Sequence, residues 1–325
     1  MRRLFPAMVL SLLVLCRMEA QTGTTGYDYL RLPVSAHAAA TGGNSVSLIE
    51  DDAALLFCNP ALLSNVSDRT LSLTAMSYMG DSWLLSAAFV KMAGERGTWA
   101  VGACLLGYGE MTETTADFSE TGSFSASDIA VQGGYTYLLS ERWSGGVQGK
   151  VLLSNYGDYS ATALAVDLGL NYYDADRGVS LALVAQNLGG EVSPLFDAAR
   201  KLPFNLALGL SYELANAPIR LTLTLDDLTH WNKGYYSVNG EELSSGDRLA
   251  NHVSVGVDIF LSDIVYVAAG YNFRRAYEMK VQDASHWAGF SLGAGLTLKR
   301  FKLGVAYGKY HVSASSLAGN VSYAF

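Results

Sequence analysis

The chain of 325 residues is poor in charge, with Asp, Glu, Lys and Arg making up only 16%, against about 25% in a typical soluble domain. Proline is scarce, at 6 residues, while glycine reaches 33. Cysteine is limited to three, none in a zinc-ligand spacing, which leaves neither a disulfide scaffold nor a zinc module. After residue 20 no apolar run approaches the roughly 20 residues of a membrane helix, which excludes a helical membrane protein. The net charge of −8 lacks the lysine and arginine footprint that nucleic acid demands. Half the residues are apolar, too many for a disordered chain. What is abundant is tyrosine, whose 19 copies outnumber phenylalanine and tryptophan together.

Residues 1–20 read as a signal peptide: Arg2 and Arg3, an apolar run from Leu4 to Leu15, and Ala20 before Gln21. A lipid anchor at Cys16 is the alternative, but bulky Leu15 occupies the place where a small residue is required. Removal of this segment takes Arg2, Arg3, Arg17 and Glu19, leaving 19 basic against 29 acidic residues and a net charge of −10. Cys58 and Cys104 remain, either paired or as two buried thiols.

From residue 70 the period is two, the period of strands. Ile219, Leu221, Leu223 and Leu225 alternate with Arg220, Thr222, Thr224 and Asp226; Val253, Val255, Val257 and Ile259 alternate with Ser254, Gly256 and Asp258. One face is aliphatic and the other small and polar, which suits a barrel with lipid outside and a crowded interior. Asp128, Asp167 and Asp258 fall on the polar face and are expected in the lumen. Fourteen strands are expected, at about 70–78, 82–92, 98–108, 127–138, 142–154, 159–173, 178–189, 203–214, 218–228, 250–261, 264–275, 286–298, 301–310 and 316–325. The even-numbered connections are all short, and the long ones (109–126, 190–202, 229–249, 276–285) are all odd-numbered, so they share one end. Outer-membrane barrels have this asymmetry. Hydrocarbon offers no hydrogen bonds, so such a sheet must close.

The final strand puts Leu317, Gly319, Val321, Tyr323 and Phe325 on one face. An alternating strand ending on phenylalanine resembles the assembly signal read by the barrel-assembly machinery, with Tyr323 and Phe325 as its aromatics; the plain alternative is an edge strand. Tyrosines at strand ends (Tyr78, Tyr108, Tyr156, Tyr172, Tyr173, Tyr212, Tyr266, Tyr310) fit interfacial girdles. Tyr271, nearer mid-strand, fits the interior.

Residues 21–69 do not alternate. Short helices are expected near 35–40 and 50–57, with Gly42-Gly43 as a turn and Pro60 ending the second helix. This segment fits a helical hatch inside the lumen, which fourteen strands make too wide for wall side chains to fill. The chain thus divides into a signal peptide (1–20), a hatch (21–69) and a transmembrane β-barrel (70–325).

The order Leu32-Pro33-Val34-Ser35-Ala36-His37-Ala38-Ala39-Ala40-Thr41-Gly42-Gly43, then Ser47-Leu48, Asp51-Asp52 and Asn59-Pro60-Ala61-Leu62-Leu63, resembles the start of the PorV/PorQ group of type IX secretion proteins of Bacteroidetes. The resemblance continues in Gly270-Tyr271-Asn272-Phe273-Arg274-Arg275, Glu278-Met279-Lys280, Gly289-Phe290-Ser291, Lys299-Arg300-Phe301 and Tyr307-Gly308, essentially the whole mature chain. The Asn-Pro-Ala element also resembles the hatch of the fourteen-stranded FadL fatty-acid transporters. Two positions depart from the group: His37 replaces an arginine, and Cys58 a polar residue.

The resemblance implies a non-enzymatic outer-membrane protein without cofactor. It would hold a PorZ-like surface protein and, through it, a PorU/PorV-like attachment complex that joins cargo to anionic lipopolysaccharide. The long loops would form the dock, with Phe118, Phe196, Trp231, Tyr235 and Tyr236 as aromatic anchors, or would simply be solvated tips. A FadL-like channel for hydrophobic solutes is the competing function; it needs a lateral opening, for which Gly133-Gly134 and Gly145-Gly146 are candidate kinks. The five histidines form no His-Glu-x-x-His, and the acid pairs Asp51-Asp52 and Asp226-Asp227 fit turns or caps better than a metal. No catalytic constellation is present in the pattern.

Overall fold

The computed structural model describes residues 26–115, 117, 119–194, 199–231, 243–279, 288–310 and 314–325. Fourteen strands run in chain order: β1 (Thr70–Ser77), β2 (Trp83–Ala93), β3 (Gly97–Thr114), β4 (Glu120–Leu138), β5 (Trp143–Tyr156), β6 (Tyr159–Asp174) and β7 (Val179–Ser193). They continue as β8 (Asn205–Glu213), β9 (Ile219–Leu225), β10 (Val253–Phe260), β11 (Val265–Asn272), β12 (Phe290–Leu298), β13 (Phe301–Gly308) and β14 (Ser316–Ala324). Each pairs antiparallel with its neighbours in sequence, and β14 pairs with β1 from Thr70↔Ala324 to Met76↔Ala318, closing the barrel. The expected fourteen-stranded antiparallel barrel is therefore the fold.

Alternation sorts the two faces. Leu73 is 50% exposed between Ser72 at 1% and Thr74 at 4%. Val101, Val131, Leu168, Leu221 and Leu303 likewise stand outward, while Gln132, Gln148, Asp167, Thr222 and Asp258 are buried. A band of aliphatic side chains facing out is stable against hydrocarbon rather than water. Inside, the acids are satisfied: Lys150 Nζ lies 2.7 Å from Asp167, and Asp128 accepts the hydroxyls of Tyr108, Ser154 and Tyr156.

Several expectations need correction. The connection expected at 109–126 is mostly strand, since β3 and β4 continue as a hairpin past a register shift between Gly107 and Glu110. Residues such as Glu110, Thr112, Ser123 and Ser125 put polar groups on that hairpin, which hides the alternation. Tyr108 and Tyr156 turn inward to Asp128, and Tyr266 packs beside His37, so none of the three belongs to a girdle. Tyr271 instead faces outward, ring to ring with Phe273 and Phe290. The expected strand 264–275 stops at Asn272, whose side chain caps a helix, Phe273–Glu278. Gly133-Gly134 and Gly145-Gly146 lie in unbroken register and kink nothing.

The wall's irregularity lies elsewhere. Between Val166 and Leu168 the β6/β7 register shifts, with Asn187 at φ 60°. Its backbone N–H turns inward to Asp167 Oδ1 at 2.8 Å. The pairing of β7 with β8 ends at Gln186↔Asn205, so Leu188–Ser193 continue without a β8 partner. Pro203, which has no N–H to give, precedes β8 and accepts from Asn187 Nδ2 at 3.0 Å.

Candidate functional site

Residues 26–69 pack against the inward faces of the strands. Ser35 caps helix α1 (Ala36–Ala40), whose four alanines are all buried, as is His37. Gly42 and Gly43 follow at φ 104° and 117°, a geometry that favours glycine. Two 3-10 turns come next: Ala53–Phe57, capped by the Asp52 carboxylate on Ala54 N at 3.0 Å, and Pro60–Asn65, capped by Asn59 on Ala61 N at 3.0 Å. Pro60 thus opens a turn as its first residue, a place that needs no N–H, rather than merely ending the one before. Asp51 accepts from Ser67 N and Oγ at 2.7 and 2.8 Å. Both acids therefore work as caps and turn anchors.

The segment is held by its backbone. Ser291 Oγ donates to Ala40 O at 2.9 Å, Ser144 Oγ to Ala61 O at 2.9 Å, Gln186 Nε2 to Cys58 O at 2.6 Å, and Thr136 Oγ1 to Pro60 O. Glycine in the wall permits this approach: a Cβ on Gly256 would lie 2.7 Å from Thr41 Cβ, and one on Gly146 2.6 Å from Ala61 N. The small, polar inner face seen in the sequence is thus the complement of this segment.

A charged cluster joins the segment to β9 and β10. His37 donates from Nδ1 to Glu50 and from Nε2 to Asp258, both at 2.8 Å, while Arg220 Nε donates to the other Asp258 oxygen at 2.8 Å. Arg220 Nη1 reaches Ile49 O at 3.1 Å, and the Tyr266 ring stacks on His37 at 4.3 Å. Burial alone would pull the His37 pKa down, but the Glu50 and Asp258 carboxylates outweigh it and hold it at about 9. Glu50 is partly buried, which would raise its carboxyl, yet His37 keeps it below the ordinary value. The imidazolium therefore holds a cation between two acids. Neighbouring Asp52 is pushed up to about 6, first by burial and then by the charge of Glu50. Cys58 and Cys104 are both free and buried. Burial pushes the Cys58 thiol up to about 12, so it is inert.

On the long-loop side of the segment lies a cavity of about 250 Å³. Its walls come from the segment (Leu32, Val34, Phe57), the β7/β8 break (Gln186, Asn187), and two loop helices, α2 (Ser245–Asn251) and α3 (Phe273–Glu278). The periodicity could not reveal these helices, because each is under two or so turns and sits where strands end.

Of the expected docking aromatics, Trp231 is 45% exposed beside this cavity, its Nε1 bonded to Leu228 O at 2.6 Å and its ring 4.1 Å from that of His252. Phe118, Phe196, Tyr235 and Tyr236 lie outside the described residues, as do residues 1–25 with the expected signal peptide. At the other end Tyr323 and Phe325 meet ring to ring at 4.8 Å, and Tyr323 meets Phe301 at 4.5 Å.

A closed fourteen-stranded antiparallel barrel with an apolar exterior defines the class, the outer-membrane type of β-barrel. No family model and no curated protein matches the chain by sequence. Among solved structures it is similar to a FadL homologue of Pseudomonas aeruginosa (TM-score 0.56, 12% identity, 93% of this chain and 98% of the other). It is also similar to the toluene transporter TodX of Pseudomonas putida (0.55, 14%, 93% and 99%) and to the monoaromatic hydrocarbon channel CymD (0.57, 13%, 90% and 97%). At these identities the likeness is one of fold: the chain has a FadL-like barrel.

Proposed function

We infer that this chain is a non-enzymatic outer-membrane barrel, exported by its signal peptide, in which residues 21–69 form a hatch that keeps the lumen shut. The observation that carries this reading is the direct seating of the segment's backbone on the wall at Ala40, Cys58, Pro60 and Ala61, reinforced by the His37 cluster. A shut barrel offers its loops rather than its bore. In line with the sequence resemblance, its work is that of a PorQ-type scaffold in type IX secretion. It would hold a PorZ-like protein near Trp231 for a PorU/PorV-like complex that attaches cargo to lipopolysaccharide. This finer part rests on the sequence resemblance alone. Tyr323 and Phe325 would present the chain to the barrel-assembly machinery.

A second reading, a channel for hydrophobic solutes, is favoured by two observations: the fold likeness to TodX and CymD, and the β7/β8 break bordering the cavity. Deletion of the chain in its own host separates the two. The scaffold reading expects surface cargo to be shed into the medium while uptake of toluene is unchanged. Retained cargo with lost uptake establishes the channel instead.

A further inference from the structure

The β3/β4 hairpin rises beyond both of its neighbours at the long-loop end. β2 leaves β3 at Trp83↔Gly107, and β5 leaves β4 at Ala126↔Tyr156, whereas β3 and β4 stay paired as far as Thr114↔Glu120. Past those points each strand of the hairpin has one ladder partner instead of two. β3 carries its extra residue between Gly107 and Glu110, while β4 runs regularly through Gly122–Ser125. Ser125 O accepts from Gly157 N at 3.1 Å, so the backbone groups of Ser125 point away from β3. Strand backbone groups alternate sides with a period of two, so those of Ser123 point the same way. Among the described residues no backbone group meets them there. The open edge, Glu120–Phe124, is about 15 Å long at the usual rise per residue.

An exposed strand edge is a template for another strand, and proteins commonly blunt it with lysine, proline or a covering element. Residues 97–140 contain no lysine, arginine, histidine or proline. Nothing covers the hairpin either: Thr112, Glu113, Glu120, Thr121 and Ser123 are all exposed. Its charges are of one sign, at Glu110, Glu113, Asp117 and Glu120. Glu110 accepts from Ser123 Oγ, and Asp117 from Thr115 and Ser119. Among the described residues none of the four acids meets a cation. The flanking turns, 78–82 and 157–158, add Asp81 and Asp158 and no basic residue. A second copy laid along this edge would set like charges side by side, which is unfavourable. The complement of the edge is a strand that carries cations.

We propose that the β4 edge at Glu120–Phe124 is a docking site for an extended, lysine- or arginine-bearing segment of a partner protein, which joins the hairpin as an added strand. Backbone hydrogen bonds at Ser123 set its alignment, and Glu110, Glu113 and Glu120 select its cationic side chains. The inference rests on the hairpin alone and on neither reading of the barrel, scaffold or channel.

The test is fluorescence anisotropy of a labelled octapeptide of alternating lysine and threonine, titrated with the full chain in phosphatidylcholine nanodiscs; empty nanodiscs supply the background. Saturable binding is expected, weakened about tenfold when every peptide bond of the octapeptide is N-methylated, which keeps its charge and removes its backbone donors. Ser123→Pro, which takes the edge N–H from the protein, should weaken binding about as much, while Ser123→Ala leaves it unchanged. A variant combining Glu110→Gln, Glu113→Gln and Glu120→Gln should also bind about tenfold more weakly, and an alternating glutamate and threonine peptide should not bind. Unheated electrophoretic mobility reports whether each variant keeps its barrel; should Ser123→Pro lose it, the methylated peptide decides alone, since it leaves the protein unaltered. Absence of saturable binding, equal binding of the methylated peptide, or unchanged binding by a folded Ser123→Pro would each overturn the assignment. So would a dimer of the chain in detergent that Ser123→Pro abolishes, which would give the edge to a second copy.

Discussion

His37 is the residue on which the seating of the N-terminal segment turns. Its imidazolium stands between Glu50 and Asp258, with Arg220 on the far side of Asp258. Removing one member of a buried charge cluster leaves its partners uncompensated, at a cost of about 3–5 kcal/mol. His37→Ala is therefore expected to speed hydrogen exchange at the Ala39 and Thr41 amides of α1, whereas His37→Arg, which restores a cation, retains more of the protection. The pH dependence has a definite sign. A histidine raised to about 9 contributes stability that is complete below its unfolded value of 6.5 and is lost as pH rises through about 9. Glu50, lowered from 4.5, contributes stability present above that value and lost as pH falls below it. Asp52, raised to about 6, opposes this, costing stability as pH rises from 3.8 through about 6. Alkaline titration should thus loosen the segment in the natural chain and leave His37→Ala without that transition, as followed by exchange at the same amides. A shared alkaline transition would assign it to other groups.

Among the elements, wall glycines and the β7 bulge have distinct roles. Gly256→Val places atoms where Thr41 sits and is expected to displace the segment, seen as new protease cleavage between residues 35 and 50. Gly149→Val is the contrast, since a Cβ there meets nothing within 4 Å and should change nothing. Asn187→Val strains a left-handed position and strips Lys150 of its amide acceptor at 2.9 Å. A loss of about 1–3 kcal/mol in urea unfolding is expected from the strain alone. At this scale the sequence was legible wherever one face was greasy and the other small. Strand number, order and most boundaries follow from that period. It failed at the β3/β4 hairpin, where polar residues interrupt the aliphatic face and leave little besides Met111 and Phe124, and at Tyr108 and Tyr156, whose inward turn depends on Asp128 of β4. The Asn187 bulge has no glycine or proline at its own position, and the Gly189-Gly190 pair that follows was not read as its signal. Of the site, Asp51 and Asp52 were readable as turn or cap residues because capping is local, whereas the caps made by Ser35 and Asn59 emerged only with the fold. The meeting of His37 with Asp258, far apart in sequence, was not readable.

The barrel is a cylinder whose outer face is apolar. Val131→Arg, on the outer face of β4 midway along its pairing with β5, is expected to cost about 2–4 kcal/mol when unfolding is measured in lipid vesicles. Its inward neighbour Gln132 bonds to Gln148 at 2.9 Å, and Gln132→Ala should cost less, since a single neutral hydrogen bond is worth about 1 kcal/mol. Equal losses would mean that the exterior is not in contact with hydrocarbon.

The seam between the first and last strands carries one further implication. Ser72 on β1 hydrogen-bonds both to Asp52 of the N-terminal segment and, at 2.9 Å, to Ser322 on β14. One hydroxyl thus serves two joins at once, the clasp between the outermost strands and the mooring of the leading residues, so replacing Ser72 by alanine is expected to slacken both together.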